Sequence, residues 1–259
     1  MINNGSAGAA DEKSPWTQPG FIAAAAVVAI IVVLGLAIVI TGGSDSASPS
    51  DERANAAPPA VSPNTGDGDG DSVCGLGPGN QAIPTEAPEA RWKLRGTVAV
   101  PTAPSTYGPG KVEDGVPACF AHSPTGALFA MLNIQAAMGD FAKQPGRYPI
   151  RKVLRMLAAG PGRDVLKDAA ERAPVATKGN TTPGAQVAGF NIVRYEPGTV
   201  VIDVAFAGSR PEASGYVHGQ STIRWERRDW KLVLTQSGAP FDAVQPIADL
   251  TGYVPWSGV

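Results

Sequence analysis

The chain has 259 residues, 31 of them glycine and 24 proline, about a fifth of the total against an average of about 12%, so much of it lies outside helix and sheet interiors. Twenty-one basic residues against 23 acidic ones leave a net charge of −2, which gives no overall attraction to a polyanion; no nucleic-acid partner is expected. With two cysteines and two histidines in all, a four-ligand zinc site would consume every one of them, and neither a metal nor another cofactor is expected.

After a short tail, residues 1–20, the segment Phe21 to Ile40 reads FIAAAAVVAIIVVLGLAIVI, uncharged, with Gly35 as its only interruption. At about 1.5 Å per residue these positions span about 30 Å, the thickness of a bilayer's hydrocarbon core. A soluble helix has no need of apolar residues on every face for five turns, so a membrane helix is expected. A cleaved signal peptide is the competing reading. Its apolar core runs to about 7–15 residues behind a basic leader, whereas this run is longer and follows Asp11, Glu12 and Lys13. Lys13 and Arg53 flank the span one on each side, so the bias of basic residues does not orient it. Two cysteines in the bulk of the chain suit an oxidising compartment. The expectation is a single-pass cell-membrane protein, with residues 1–20 cytoplasmic and residues 41–259 outside.

Residues 41–73 are rich in Ser, Ala, Pro, Gly and Asp and hold too few large aliphatic residues to offset the entropy of ordering them. A disordered linker is expected. Within it, Asp67-Gly-Asp69-Gly-Asp71 resembles the start of a calcium loop, but Ser72 stands at the sixth position and Pro78 at the twelfth, where Gly and Glu are needed. Residues 74–119 keep frequent Pro and Gly yet add Trp92, Leu94, Val98 and Val100, and should form an extended, ordered arm.

Ser123-Pro124 opens a helix, Ser as N-cap and Pro in the first turn, with Ala127, Met131, Ile134, Met138 and Phe141 on one apolar face. A second helix turns Ile150, Val153, Leu154 and Leu157 inward and Arg151, Lys152 and Arg155 outward; a third runs from Arg163 to Ala173. Beyond the polar stretch Lys178 to Pro183 the period falls to two. Phe190 and Ile192, then Val200, Ile202, Val204 and Phe206, then Val217, Ile223 and Trp225, then Trp230, Leu232 and Leu234 mark four strands with short connections. The expected fold is α+β: three N-terminal helices packed on one face of a curved four-stranded antiparallel sheet over residues 120–239, followed by a C-terminal tail, 240–259.

The order of these elements and the closing hairpin Ile223-Arg-Trp-Glu-Arg-Arg-Asp-Trp-Lys-Leu-Val-Leu234 resemble the nuclear transport factor 2-like (cystatin-like) cone. A membrane helix before such a domain is similar to the inner-membrane assembly component of type IV secretion systems and its Gram-positive conjugation relatives. Cys-Phe-Ala-His-Ser-Pro-Thr-Gly-Ala-Leu at 119–128 resembles membrane proteins of actinobacterial mobile elements. The resemblance implies a scaffold or assembly subunit whose partners are other subunits of a membrane complex, with self-association as a further expectation. It also implies an alternative, since the cone of this fold can become the pocket of an enzyme or a small-ligand-binding protein.

Few residues suggest chemistry. Cys119 and His122 have a Cys-x-x-His spacing, but a Cys74–Cys119 disulfide, closing a 46-residue loop, suits the compartment better than a thiolate nucleophile or half a metal site. His122 precedes the helix N-cap and His218 lies on the polar phase of the third strand, beside Gln220. Asp203 is out of phase with Val200, Ile202, Val204 and Phe206 and should face away from the core, and Asp140 lies near the end of the first helix. No nucleophile elbow, phosphate loop or His-Glu-x-x-His helix occurs, so a non-enzymatic role is expected. From Lys143 to Lys167 seven basic residues stand against Asp164 alone, the largest charge asymmetry in the chain. Such a run is ordinarily a solvated helix face; read functionally, Arg151, Lys152 and Arg155 are the candidate docking residues for an acidic partner, anionic headgroups or wall polymers.

Overall fold

The structure, a computed structural model, describes residues 70–143, 150–172, 185–207 and 215–258. The expected membrane helix 21–40, the tail before it, the linker up to residue 69 and the side chains of Phe141, Lys143 and Arg147 lie outside the described residues. Among those described, no helix is long and apolar enough to cross a membrane.

The elements, in chain order, are β1 Arg91–Arg95, β2 Val98–Thr102, β3 Lys111–Glu113, β4 Val116–Ala118, α1 Pro124–Lys143, α2 Ile150–Leu154, α3 Pro161–Arg172, β5 Gln186–Glu196, β6 Thr199–Ala207, β7 Tyr216–Glu226, β8 Asp229–Val233, β9 Val244–Ile247 and β10 Val254–Pro255. The expectation of three helices packed on a four-stranded sheet is overturned. The molecule is mainly β, with one long helix, a large antiparallel sheet and two separate hairpins. Strand order in the large sheet is β10-β5-β6-β7-β8, and β9 joins it by pairing with β7 beyond the end of β8. The two extra strands come from the segment expected to be a tail, because Val244–Ile247 and Val254–Pro255 find open backbone edges on β7 and β5.

Alternation fixes the faces of the sheet. Val200, Ile202 and Val204 on β6 face Ile223, Ser221 and Gly219 on β7, and the aliphatic members of this set are fully buried. Two register shifts in β5, at Val187/Gly189 and Ile192/Arg194, bend that strand across the core.

Helix α1 starts at its Ser123 cap, whose Oγ accepts the Gly126 N–H at 3.0 Å. It is buried on every side from Pro124 to Ile134, so its expected single apolar face is only half of what it covers. Leu128, Phe129, Met131 and Ile134 are at most 1% exposed. The β1–β2 and β3–β4 hairpins, both within the expected extended arm, cover the face that the large sheet does not. Asn133 of α1 donates to the Pro101 carbonyl of β2 at 2.9 Å, giving its buried amide a partner.

Helices α2 and α3 are not part of a helical layer on the sheet. Only Val153 is buried in α2 and only Gly162 in α3. The turn after α2 instead seals a sheet edge: Leu232 N–H donates to Met156 O at 3.0 Å, and Ala158 N–H to Leu232 O at 2.9 Å. At Gly162 a Cβ would collide with the Thr235 carbonyl, so glycine lets α3 begin directly against the chain leaving β8. Trp256, beyond β10, closes the core. It lies 4.9 Å from Trp92, 5.4 Å from Phe129 and 5.6 Å from Phe190 between ring centroids, and its indole N–H donates to Pro88 O.

Candidate functional site

The β7–β8 connection is the two-residue turn Arg227-Arg228, both residues at positive φ, 55° and 61°. Such turns favour Asn and Gly, and a non-glycine residue in this region costs roughly 1 kcal/mol. Arg228 has a structural return on that cost, since its guanidinium donates to Asp71 O at 3.2 Å and Ser72 O at 3.0 Å. Arg227 has no side-chain partner among the described residues and lines a cleft.

That cleft, about 160 Å³, lies between one face of the β3–β4 hairpin and the β7–β8 end of the large sheet. Lys111, Arg155, Arg227 and Lys231 supply four positive charges to it, and Glu113 and Asp229 two negative ones. Of the expected docking residues, the structure brings Arg155 here because the turn at 156–158 is hydrogen-bonded to β8. Lys152 stands beside it but is committed to Asp114 at 2.5 Å. The Lys152 hydrogen bond and charge, with Arg155 adding to them, hold the Asp114 carboxyl below the usual range. Arg151 is exposed.

The cleft floor is rigid. Asp229 is 2% exposed and accepts the backbone N–H groups of Cys119 at 3.2 Å, Phe120 at 3.1 Å and Trp230 at 3.1 Å, with the Lys231 ammonium at 3.3 Å. Cys119, itself at φ 72°, is joined to Cys74 as a disulfide with Cα atoms 5.8 Å apart. A Cβ at Gly110 would come within 2.6 Å of the Cys119 sulfur, so glycine makes room for that bridge. All four non-glycine residues with positive φ among those described, Asp114, Cys119, Arg227 and Arg228, lie around this corner, where strain of this kind commonly accompanies function.

A second polar group lies on the sheet face turned away from α1. Asp203 faces away from the core as its phase requires, yet it is only 6% exposed, because Tyr253 from the C-terminal segment reaches over Gly189 toward it. His218 Nδ1 is 3.0 Å from both carboxylate oxygens, and the Gln220 amide is 3.5 Å from one. Burial, the Asp203 charge and its hydrogen bond push the Tyr253 hydroxyl up to about 12. This pairing could not be read from sequence, since Tyr253 lies in the segment expected to be a tail. The other candidates have structural roles. His122 stacks on Trp225 at 4.0 Å and contacts Pro197 O; Asp140 is 3.5 Å from Arg95. The described residues contain no group of three or more His, Cys, Asp or Glu side chains that could hold a metal ion.

Sequence reasoning missed Lys111, Arg227 and Lys231. Two signals were available: two arginines in a two-residue turn, and Asp114-Gly115, a strong hairpin pair that folds Lys111 over the cleft.

Residues 54–255 match the model of the family described as a domain of unknown function (DUF8175), and the chain belongs to that family. No curated protein and no solved structure gives a match to it.

Proposed function

We propose that the chain is a membrane-anchored, extracytoplasmic and non-enzymatic scaffold subunit that docks onto another component of a membrane complex through the basic cleft. One observation carries the reading: Arg155 and Arg227 line the same cleft without an ion-pair partner among the described residues. Exposed cations outside any ion pair among the described residues, beside a floor fixed by Asp229 and the disulfide, suit an electrostatic contact better than a reaction. The space between α1 and the large sheet is filled by Phe129, Met131, Ile202 and Trp230, which supports an outside surface over an internal pocket. A conjugative transfer or related secretion apparatus is the proposed setting, on the similarity of the anchor-plus-body layout and of segment 119–128.

Arg155→Glu combined with Arg227→Glu in the full-length chain tests this by native electrophoresis of detergent-solubilised membranes. The unaltered chain should migrate within a discrete larger complex and the variant alone, with its thermal transition and disulfide unchanged. Identical migration of the two would reject the reading.

The Asp203–His218 pair favours a second reading, an extracytoplasmic enzyme. Its carboxylate orients His218 through Nδ1, the arrangement by which a histidine Nε2 acts as a base. His218→Ala separates the two readings: complex assembly and transfer should persist without the imidazole if docking is the function.

A further inference from the structure

We infer that the basic cleft is a receptor for the carboxylate of an acidic, partly aliphatic peptide segment of a partner subunit, an inference that rests on the docking reading above. The charges of the cleft divide into used and unused ones. Asp229 is saturated by three backbone N–H groups and Lys231, and Glu113 is paired with Lys111 at 2.7 Å. Two guanidiniums, Arg155 and Arg227, are left to line the cavity, and planar guanidiniums match carboxylates in a two-pronged geometry. Val73 and Val116, Pro117 and Ala118 of β4 line the same cleft and add apolar surface to it. A carboxylate flanked by aliphatic carbon satisfies both halves of such a site.

The rim decides between a peptide and an anionic membrane surface. Glu113 and Asp114 are exposed at the tip of the β3–β4 hairpin, 62% and 70% by side chain. Negative charge there repels a broad anionic plane, whereas a single carboxylate can approach the two exposed arginines beside these acids. A cavity of about 160 Å³ holds one such group and its neighbouring methylenes, not a headgroup lattice.

The test is fluorescence anisotropy with the full-length protein in detergent, using a labelled peptide that alternates Glu and Leu, its Gln/Leu counterpart, and glycerol phosphate as a headgroup competitor. Saturable, salt-sensitive binding of the Glu peptide is expected, with the Gln peptide silent. Arg155→Gln and Arg227→Gln should each weaken it about tenfold or more, while Arg172→Gln, on the far end of α3, leaves it unchanged. Retained thermal transitions identify the arginine variants as folded. Equal binding of the two peptides, indifference to both arginine variants, or full displacement of the Glu peptide by glycerol phosphate would overturn the inference. If complex assembly still depends on Arg155 and Arg227 while the Glu peptide fails to bind, docking stands and the assignment to an acidic peptide falls.

Discussion

Both carboxylate oxygens of Asp229 are engaged, one with the Phe120 and Trp230 N–H groups and the other with Cys119 N–H and Lys231. A single side chain thus ties the entrance of α1 to the last hairpin. Asp229→Ala leaves three backbone donors without acceptors, and each such buried group costs about 1–3 kcal/mol. The expected loss in urea unfolding is about 3 kcal/mol or more, with Asp229→Asn smaller because its amide oxygen still accepts. A loss below about 1 kcal/mol would show that these donors find water. At the opposite face Tyr253 makes a pH prediction. Its hydroxyl is raised from the ordinary 10.0 to about 12 in the folded chain. The unfolded chain therefore gives up this proton first as pH rises; stability from this group is complete below pH 10 and is lost between 10 and about 12. A thermal melting series from pH 9 to 12 should show a steeper decline for the unaltered chain than for Tyr253→Phe. Parallel declines would mean that the hydroxyl contributes nothing through Asp203.

At the scale of elements, the segment beyond β8 is a strap. Its strands β9 and β10 pair with β7 and β5 on different parts of the sheet, and Trp256 packs between the arm, α1 and β5. Trp256→Ala should cost about 3–5 kcal/mol, the range for deleting a buried aromatic side chain, and should expose Trp92 to quenching. Normal stability of that variant would place the strap outside the cooperative unit. The disulfide clamps the same arm from its other end. Replacing Cys74 and Cys119 by serine should lower stability by roughly 4 kcal/mol in the chain-entropy account, and non-reducing mass spectrometry of exported protein should find both thiols oxidised. Four antiparallel strands were legible because their apolar residues alternate. So was the start of α1, from Ser123-Pro124. The layer count was not. A helix buried on both faces has no polar stripe to mark its second contact, and the short β1–β4 strands carry too few alternations to register. Arg155 was legible as a basic exposed residue; its meeting with Arg227, 72 positions later, depends on the edge pairing of residues 156–158 with β8.

For the whole molecule, the proposed role depends on where the body resides. In the proposed arrangement the twenty apolar residues from Phe21 to Ile40 anchor the chain, and the Ser-, Ala- and Pro-rich linker expected over residues 41–73 separates the anchor from the folded body. Tethering raises the effective concentration of a partner within the linker's reach, so a shallow cleft holding one carboxylate can serve in a membrane complex where it would be too weak between free proteins. This sets a requirement on orientation: the body must share a compartment with the partner, and the Cys74–Cys119 disulfide suits the oxidising, extracytoplasmic compartment proposed for it. Protease added to intact spheroplasts should cut within 41–70 and release a fragment that still carries the Cys74–Cys119 bridge, leaving the N-terminal tail protected. Full protection of the body until the membrane is broken would reverse the topology, and the disulfide and the extracytoplasmic docking role would fall with it.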